Sequence, residues 1–69
     1  MNKKCVVIID ERTSLPVYVI KSKRPIKIDV LINRAKQWIS EHNECSWSCY
    51  RYVVVDIKDA PRIKSEYIT

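Results

Sequence analysis

The apolar run from Cys5 to Ile9 is the feature that most constrains the fold of this chain. Four of its five residues are β-branched, and the charged residues Lys4 and Asp10 stand on either side of it. The run is too short for a helix, and its β-branched composition predicts a strand that is buried on both faces. We therefore expect a sheet with this strand at its centre.

Two further strands and one helix are predicted. Leu15–Lys21 and Tyr50–Lys58 have strand composition, and Pro16 favours an edge position for the earlier strand because proline donates no ladder hydrogen bond. Apolar residues at three- and four-residue spacing predict a helix from about Val30 to Glu41. The order strand, strand, helix, strand predicts an α+β two-layer sandwich. Its small antiparallel sheet has the order second, first, third, with the helix on one face. Residues 62–69 are either a loose tail or a short edge strand of this single domain.

Composition excludes several classes of protein. The chain has 69 residues, 46% hydrophobic and 30% charged, which is typical of one folded domain. It contains no glycine, so it cannot form a glycine-rich nucleotide-binding loop, and we expect no cofactor. No apolar run approaches the roughly 20 residues that span a bilayer, and no signal-peptide segment follows Met1. These features predict a cytoplasmic protein that does not bind membranes.

One pattern has the spacing of a metal site. His42, Cys45 and Cys49 offer three zinc ligands within eight residues. Cys5 would complete the set, but the expected topology puts it about 20 Å away, at the other end of the sheet. We therefore predict free thiols and no metal. The single histidine ends the predicted helix, where it is more often a cap on the last carbonyls than a catalytic base, so we predict no enzyme activity.

Charge is unevenly distributed along the chain. The net charge is +5, with nine basic and three acidic residues in 1–36 and four basic and five acidic residues in 37–69. The expected strand directions gather basic residues at one end of the sheet, beside the positive end of the helix dipole. This basic pole predicts binding of phosphate, nucleic acid or an acidic protein, whereas the alternative is that its lysines only keep the domain soluble. The residues assigned to this site are Lys21, Lys23, Arg24, Lys27, Lys58 and Arg62.

The sheet face without a helix is expected to be apolar and rich in tyrosine. If Val53 and Val55 face the helix, their neighbours along the strand point away from it. The resulting patch is larger than a monomer usually exposes, so it predicts contact with a partner or with a second copy in a homodimer. The alternative is that residues 62–69 cover it. Trp47, in a polar loop, is either an exposed interface anchor or a lid on the core. The residues assigned to partner binding are Trp47, Tyr50, Tyr52 and Tyr18.

Two classes of function remain. The first is a small non-enzymatic interaction protein that binds, and can inhibit, a larger protein or nucleoprotein partner with an acidic surface. The second is a nucleic-acid-binding module that uses the basic pole. The first is preferred because the apolar face and Trp47 have no role in phosphate binding. In its size and its lack of a catalytic set, the chain is similar in kind to accessory inhibitors encoded by phages and mobile elements, although no motif matches one of them.

Overall fold

The computed structural model describes residues 4–42 and 49–68. Along the chain lie β1 (Lys4–Asp10), β2 (Leu15–Lys21), α1 (Ile28–His42), β3 (Tyr50–Asp56), a short 3₁₀ helix (Ile57–Asp59) and β4 (Ser65–Tyr67). The predicted α+β class is confirmed. The sheet differs from the prediction in having a fourth strand, so the full order is β3-β1-β2-β4, in which the three predicted strands keep their expected relative order. The prediction of an all-antiparallel sheet was wrong. The sheet is mixed, since β4 runs parallel to β2.

Strand β1 lies inside the sheet and pairs antiparallel with β2 on one side and β3 on the other. Its residues Cys5, Val6, Val7 and Ile8 are at most 3% exposed. Both faces of β1 are covered, so its side chains must be apolar on both faces. This explains why its sequence does not alternate between apolar and polar residues. The prediction of a buried strand at Cys5–Ile9 is confirmed for these four residues, and Ile9 is half-buried.

The expected edge position of β2 was wrong for its second half. Strand β4 pairs with Val19–Lys21 and leaves the first half of β2 without a partner on that side among the described residues. Pro16 lies in this open half, opposite Ile9, where the register with β1 shifts. Proline is tolerated there because the ladder is irregular and the outer side of the strand is unpaired.

Helix α1 begins two residues before the predicted start and packs on one face of the sheet. Leu31 and Ala35 are buried against β1 and β2, and Trp38 and Ile39 are half-buried beside them. These residues recur at three- and four-residue spacing, which is the pattern from which the helix was predicted. The core on this side consists of Val6, Ile8, Ile20, Leu31 and Ala35.

The predicted assignment of sheet faces was wrong. Tyr50 and Tyr52 pack on the helix side, and Tyr18 joins them there. Val53 and Val55 lie on the opposite face. Alternation determines which residues share a face, but it does not determine which face the helix covers.

The second face is covered by the chain segment between β3 and β4. Ala60 and Ile63 pack against a cluster of Cys5, Val7 and Val19, each of which is at most 3% exposed. The large bare tyrosine-rich patch is therefore absent from this face within the described residues. Residues 62–69 include the short edge strand β4, and Ile63, which precedes β4, packs over the second face, as the alternative to a bare patch predicted.

The β1–β2 connection turns without glycine. The Ser14 amide donates to the Asp10 carbonyl at 2.7 Å, and the Arg12 amide donates to Asp10 Oδ1 at 2.9 Å. Ser14 has a φ of 58°, in the left-handed region that glycine and asparagine usually occupy. The turn is therefore closed at the cost of one strained residue.

Candidate binding surface

Strand directions bring basic residues together at one end of the sheet. β1 begins there, β2 ends there and α1 begins there, as the pairing of Lys4 with Asp56 and of Val6 with Ile20 requires. This end, the basic pole, carries five of the six residues assigned to anion binding, namely Lys21, Lys23, Arg24, Lys27 and Lys58. The sixth, Arg62, follows on the segment that crosses the second face, between Ala60 and Ile63, which pack there.

Tyr67 is the aromatic residue of the basic pole. Its ring is 5.9 Å from Lys21 Nζ and 5.5 Å from Lys23 Nζ, measured to the ring centroid, and the residue is 52% exposed. Ammonium groups at this distance are attracted to the ring by its quadrupole. The sequence indicated Tyr67 only as an apolar residue of the tail, because its approach to the lysines depends on the parallel pairing of Lys21 with Tyr67.

Acidic side chains lie among the basic residues of the pole and partly neutralise their charge. Lys4 Nζ lies 2.5 Å from Asp56 Oδ1, and the hydrogen bond that it donates holds the pKa of that carboxyl below its usual range. Asp29 stands in the first turn of α1, and Asp59 follows Lys58. The pole is thus a mixed pattern with an excess of positive charge.

The cavity at the pole is small. It has a volume of about 90 Å³ and is lined by Lys4, Ser22, Arg24 and Leu31 together with other residues of the β2–α1 connection. The Ser22 hydroxyl accepts a hydrogen bond from the Arg24 amide at 3.2 Å and donates one to the Arg24 carbonyl. A cavity of this size is below the roughly 300 Å³ at which pockets for drug-sized ligands begin. The cavity is therefore too small for a drug-sized ligand.

The tyrosines assigned to partner binding, Tyr18, Tyr50 and Tyr52, pack against the core on the helix side, and Tyr18 and Tyr50 also line an open cleft of about 520 Å³. Trp38 stacks on Tyr18, with ring centroids 5.2 Å apart, and meets Tyr50 edge-on at 5.3 Å. The His42 ring stacks on Trp38 at 3.9 Å, and its Nδ1 lies 2.9 Å from the Trp38 carbonyl oxygen. The predicted helix-capping contact of His42 is confirmed. Trp47 lies outside the described residues.

A clamp of three side chains holds β4 against the helix. Glu66 on β4 accepts hydrogen bonds from Arg34 Nε at 2.9 Å, from Arg34 Nη2 at 3.1 Å and from the Tyr18 hydroxyl at 2.8 Å. Burial would raise the pKa of Glu66, but these hydrogen bonds outweigh it and the pKa lies below its usual range. Because Glu66 precedes Tyr67, the clamp holds the strand from which the Tyr67 ring approaches the lysines. Sequence reasoning missed it, since nothing in the local pattern relates residues so far apart.

The metal-site pattern is only partly described. Cys45 lies outside the described residues, and Cys5 and Cys49 carry free thiols. Cys5 pairs with Val55 and Cys49 precedes Tyr50, which puts the two thiols at opposite ends of the sheet, roughly 20 Å apart. Over residues 4–42 and 49–68, no three His, Cys, Asp or Glu side chains are grouped as metal ligands would be.

Comparison of the chain with protein-family models, with curated proteins and with solved structures found no match. In the part of the chain that the structure describes, no helix combines the length and the apolar character needed to cross a bilayer.

Proposed function

We propose that this chain is a non-enzymatic interaction protein that binds an acidic surface of a larger protein or nucleoprotein partner through its basic pole. The observation that carries this proposal is the half-exposed Tyr67 ring beside Lys21 and Lys23. Tyrosine is enriched at protein interfaces because it combines a large apolar area with a polar tip. Lysines around it would steer an acidic partner into place.

The mixed charge of the pole favours a protein partner over a phosphate chain. Asp56 is paired with Lys4, and Asp29 and Asp59 lie near other cations. A nucleic-acid backbone presents a regular row of negative charges, and each carboxylate along its path would oppose it. A protein surface can place its own lysine or arginine against each acid, which gives specificity as well as attraction.

The test is a pull-down from nuclease-treated lysate with the tagged chain and two charge variants. Lys21→Glu/Lys23→Glu reverses two charges beside Tyr67, and the control Lys36→Glu reverses one charge at an exposed position of α1. We expect the wild type and the Lys36→Glu variant to retain the same protein after nuclease treatment. The double variant should lose it. If the double variant retains that protein, the basic pole is not the binding surface.

Binding of single-stranded nucleic acid at the same pole is the second candidate function. Tyr67, a residue that is 52% exposed, lies beside two ammonium groups. Proteins that bind single strands use these elements, because a base stacks on the ring while the phosphates contact the cations. Base stacking of this kind contributes about 1–3 kcal/mol per base, which corresponds to roughly 5- to 150-fold in affinity.

Fluorescence anisotropy with a labelled single-stranded oligonucleotide tests this second function. We expect Tyr67→Ala to weaken binding by at least about fivefold and Tyr67→Phe to preserve it, because phenylalanine keeps the stacking surface. Leu15→Ala is the control, since Leu15 is also exposed but lies at the opposite end of β2. Equal affinity of the wild type and the Tyr67→Ala variant would refute the stacking role. Loss of every partner on nuclease treatment in the pull-down would favour nucleic acid over a protein partner.

A further inference from the structure

An open cleft of about 520 Å³ lies on the helix side of the sheet, between β2, the end of α1 and the start of β3. Four rings line it, namely those of Tyr18, Trp38, His42 and Tyr50. Its volume falls within the roughly 300–1,000 Å³ of ligand-binding clefts, which the small cavity at the basic pole does not reach. Such clefts are typically lined by apolar and aromatic side chains with a few polar groups. The cleft therefore has the size and the lining of a binding site.

The rings of the cleft are packed against one another. Trp38 stacks on Tyr18 and on His42, with interplanar angles of 18° and 12°, and Tyr50 meets it edge-on. The hydroxyl of Tyr18 is fixed in turn by its hydrogen bond to Glu66. Binding to rings that are already ordered costs little conformational entropy, because few rotamers remain to be lost. The cleft is therefore preorganised for an apolar or aromatic group.

The irregular pairing of β2 with β1 adds a further apolar side chain to the cleft. The register shifts between Ile8 and Ile9, which leaves Val17 without an opposing residue in β1. The consecutive residues Val17 and Tyr18 can then both pack on the helix side, and both line the cleft. Bulges often redirect a side chain in this way beside a functional site. Because β4 pairs only with Val19–Lys21, no described strand closes the cleft at this edge of the sheet.

The charged residues that line the cleft, among those described, are both basic, namely Arg34 and Lys64. Arg34 is paired with Glu66, and its Nη1 also lies 3.9 Å from Glu41 Oε2, so its charge is already balanced. Lys64 is exposed, and no acidic side chain of the described residues lies within ion-pair distance of it. An ammonium group in this position beside a row of rings complements a ligand that has both an apolar group and a carboxylate.

We propose that the cleft binds a segment of a partner protein in which an aromatic side chain stands next to an acidic residue. The aromatic side chain packs on the rings, and the carboxylate pairs with Lys64. A partner segment suits the cleft better than a free small molecule, because the cleft is open at the edge of β2 and pockets for small molecules bury most of the ligand surface. A nucleic-acid strand is disfavoured, since Glu41 and Glu66 near the cleft would oppose its recurring phosphates.

The fluorescence of Trp38 reports on the cleft when Trp47→Phe leaves it as the single tryptophan of the chain. The probe is a capped peptide, Ser-Glu-Phe-Glu-Ser, which contains no tryptophan, and we expect a saturable change in Trp38 fluorescence on titration with it. The same peptide with alanine in place of phenylalanine should bind at least about tenfold more weakly, because it lacks the side chain that is buried on the rings. With glutamine in place of both glutamates, binding should weaken about threefold.

Lys64, an exposed residue of the cleft, allows a variant that does not disturb the core. Lys64→Gln should weaken binding of the acidic peptide about threefold and leave binding of the glutamine peptide unchanged, because the lost contact is specific to the carboxylate. Lys36→Gln is the matched control, since Lys36 is also exposed but does not line the cleft, and both peptides should bind it as they bind the wild type. Circular dichroism shows whether each variant is folded.

Anisotropy of the fluorescein-labelled peptide gives a second readout. It is measured in the Lys21→Glu/Lys23→Glu variant, which should still bind the peptide in its cleft, so a failure of the cleft is distinguishable from a failure of the basic pole. Absence of binding in both readouts would overturn the proposal, and so would equal affinities for the phenylalanine and alanine peptides. Binding of phenylacetate as tightly as the peptide would overturn it in favour of a small molecule. A labelled single-stranded oligonucleotide that binds through Lys64 would overturn it in favour of nucleic acid.

Discussion

Disruption of the Arg34–Glu66 ion pair is expected to release β4 and destabilise the whole domain. The pair joins the helix to a strand of only three residues, and both side chains are largely covered, at 30% and 23% exposure. Glu66→Gln removes the charge of the acceptor but keeps a carbonyl oxygen for the Tyr18 hydroxyl. Arg34→Met removes the guanidinium but keeps most of the aliphatic stem.

The expected size of the interaction follows from its geometry. Fully exposed ion pairs contribute about 0.2–1 kcal/mol, and hydrogen bonds to charged groups in covered sites contribute about 1.5–3 kcal/mol. A bidentate pair with roughly a quarter of its surface exposed lies between these limits, so we expect a coupling free energy of about 1.5 kcal/mol. For a domain of this size, that corresponds to a change in Tm of roughly 6–12 °C.

A double-mutant cycle isolates the coupling free energy. The free energy of unfolding is measured by urea denaturation for the wild type, Glu66→Gln, Arg34→Met and the double variant. The control cycle uses Arg12 and Asp10, whose closest charged atoms are 3.8 Å apart and whose arginine side chain is 63% exposed. We expect about 0.3 kcal/mol for this control pair. If the Arg34–Glu66 cycle gives the same small value as the control, the clamp does not hold β4.

The same pair predicts a dependence of stability on pH. The pKa of Glu66 is lower in the folded protein than its usual value, because Arg34 and Tyr18 favour the carboxylate over the opposing effect of burial. This contribution to stability is present above the unfolded-state pKa of about 4.3 and is lost as the pH falls through the folded-state value. Glu66→Gln should therefore flatten the acid limb of the stability curve, measured as the free energy of unfolding below about pH 5. An unchanged limb would contradict this reasoning.

Three further predictions concern the turn, the second face and the thiols. Ser14→Gly should raise the free energy of unfolding by about 1 kcal/mol, because glycine adopts positive φ without strain. The control Ser40→Gly, in α1, should lower the free energy of unfolding by about 0.5 kcal/mol, and thermal unfolding measures both changes. Ile63→Ala should lower the free energy of unfolding, measured in urea, by about 2 kcal/mol, because the substitution uncovers the second face. An unchanged free energy of unfolding would mean that other residues cover this face. Cys5 should react with a thiol reagent only on unfolding, because it is buried and burial raises its pKa, whereas the exposed Cys49 should react in the native state. Peptide mapping identifies the labelled cysteine, and labelling of Cys5 in the native state would contradict its burial.

The sequence predicts the elements and the basic pole well because both depend on local pattern and chain direction. The β-branched run at Cys5–Ile9 and the helical spacing of Leu31, Ala35 and Trp38 are present within short windows. The basic pole follows once the strand directions are known, because the strand and helix ends that carry many of the basic residues then lie at the same end of the sheet. Arg62 lies on the segment after β3, whose path across the sheet the sequence does not predict.

The faces of the sheet and the clamp could not be predicted in the same way. Tyr52 and Val53 alternate across β3, and either could face the helix without changing the pattern. The choice depends on how the chain crosses the sheet between distant elements. Likewise, Arg34 and Glu66 meet only because β4 pairs with β2, and three residues of weak alternation give little sign of that strand.

The two crossings of the sheet determine which of its surfaces stay open in the described part of the chain. Helix α1 carries the chain from β2 to β3 on one face, and residues 57–64 carry it back from β3 to β4 on the other. The crossings run in opposite directions on opposite faces, so they have the same hand, as connections between parallel strands nearly always do. Together they cover much of both faces in the described part of the chain. The basic pole with Tyr67 lies at one end of the sheet, and the outer edge of β3 has no partner among the described strands. On the helix side, an open cleft of about 520 Å³ lies between β2, the end of α1 and β3, where Tyr18, Trp38 and Tyr50 line it among other residues. The crossings therefore leave open those parts of the sheet that neither connection passes over.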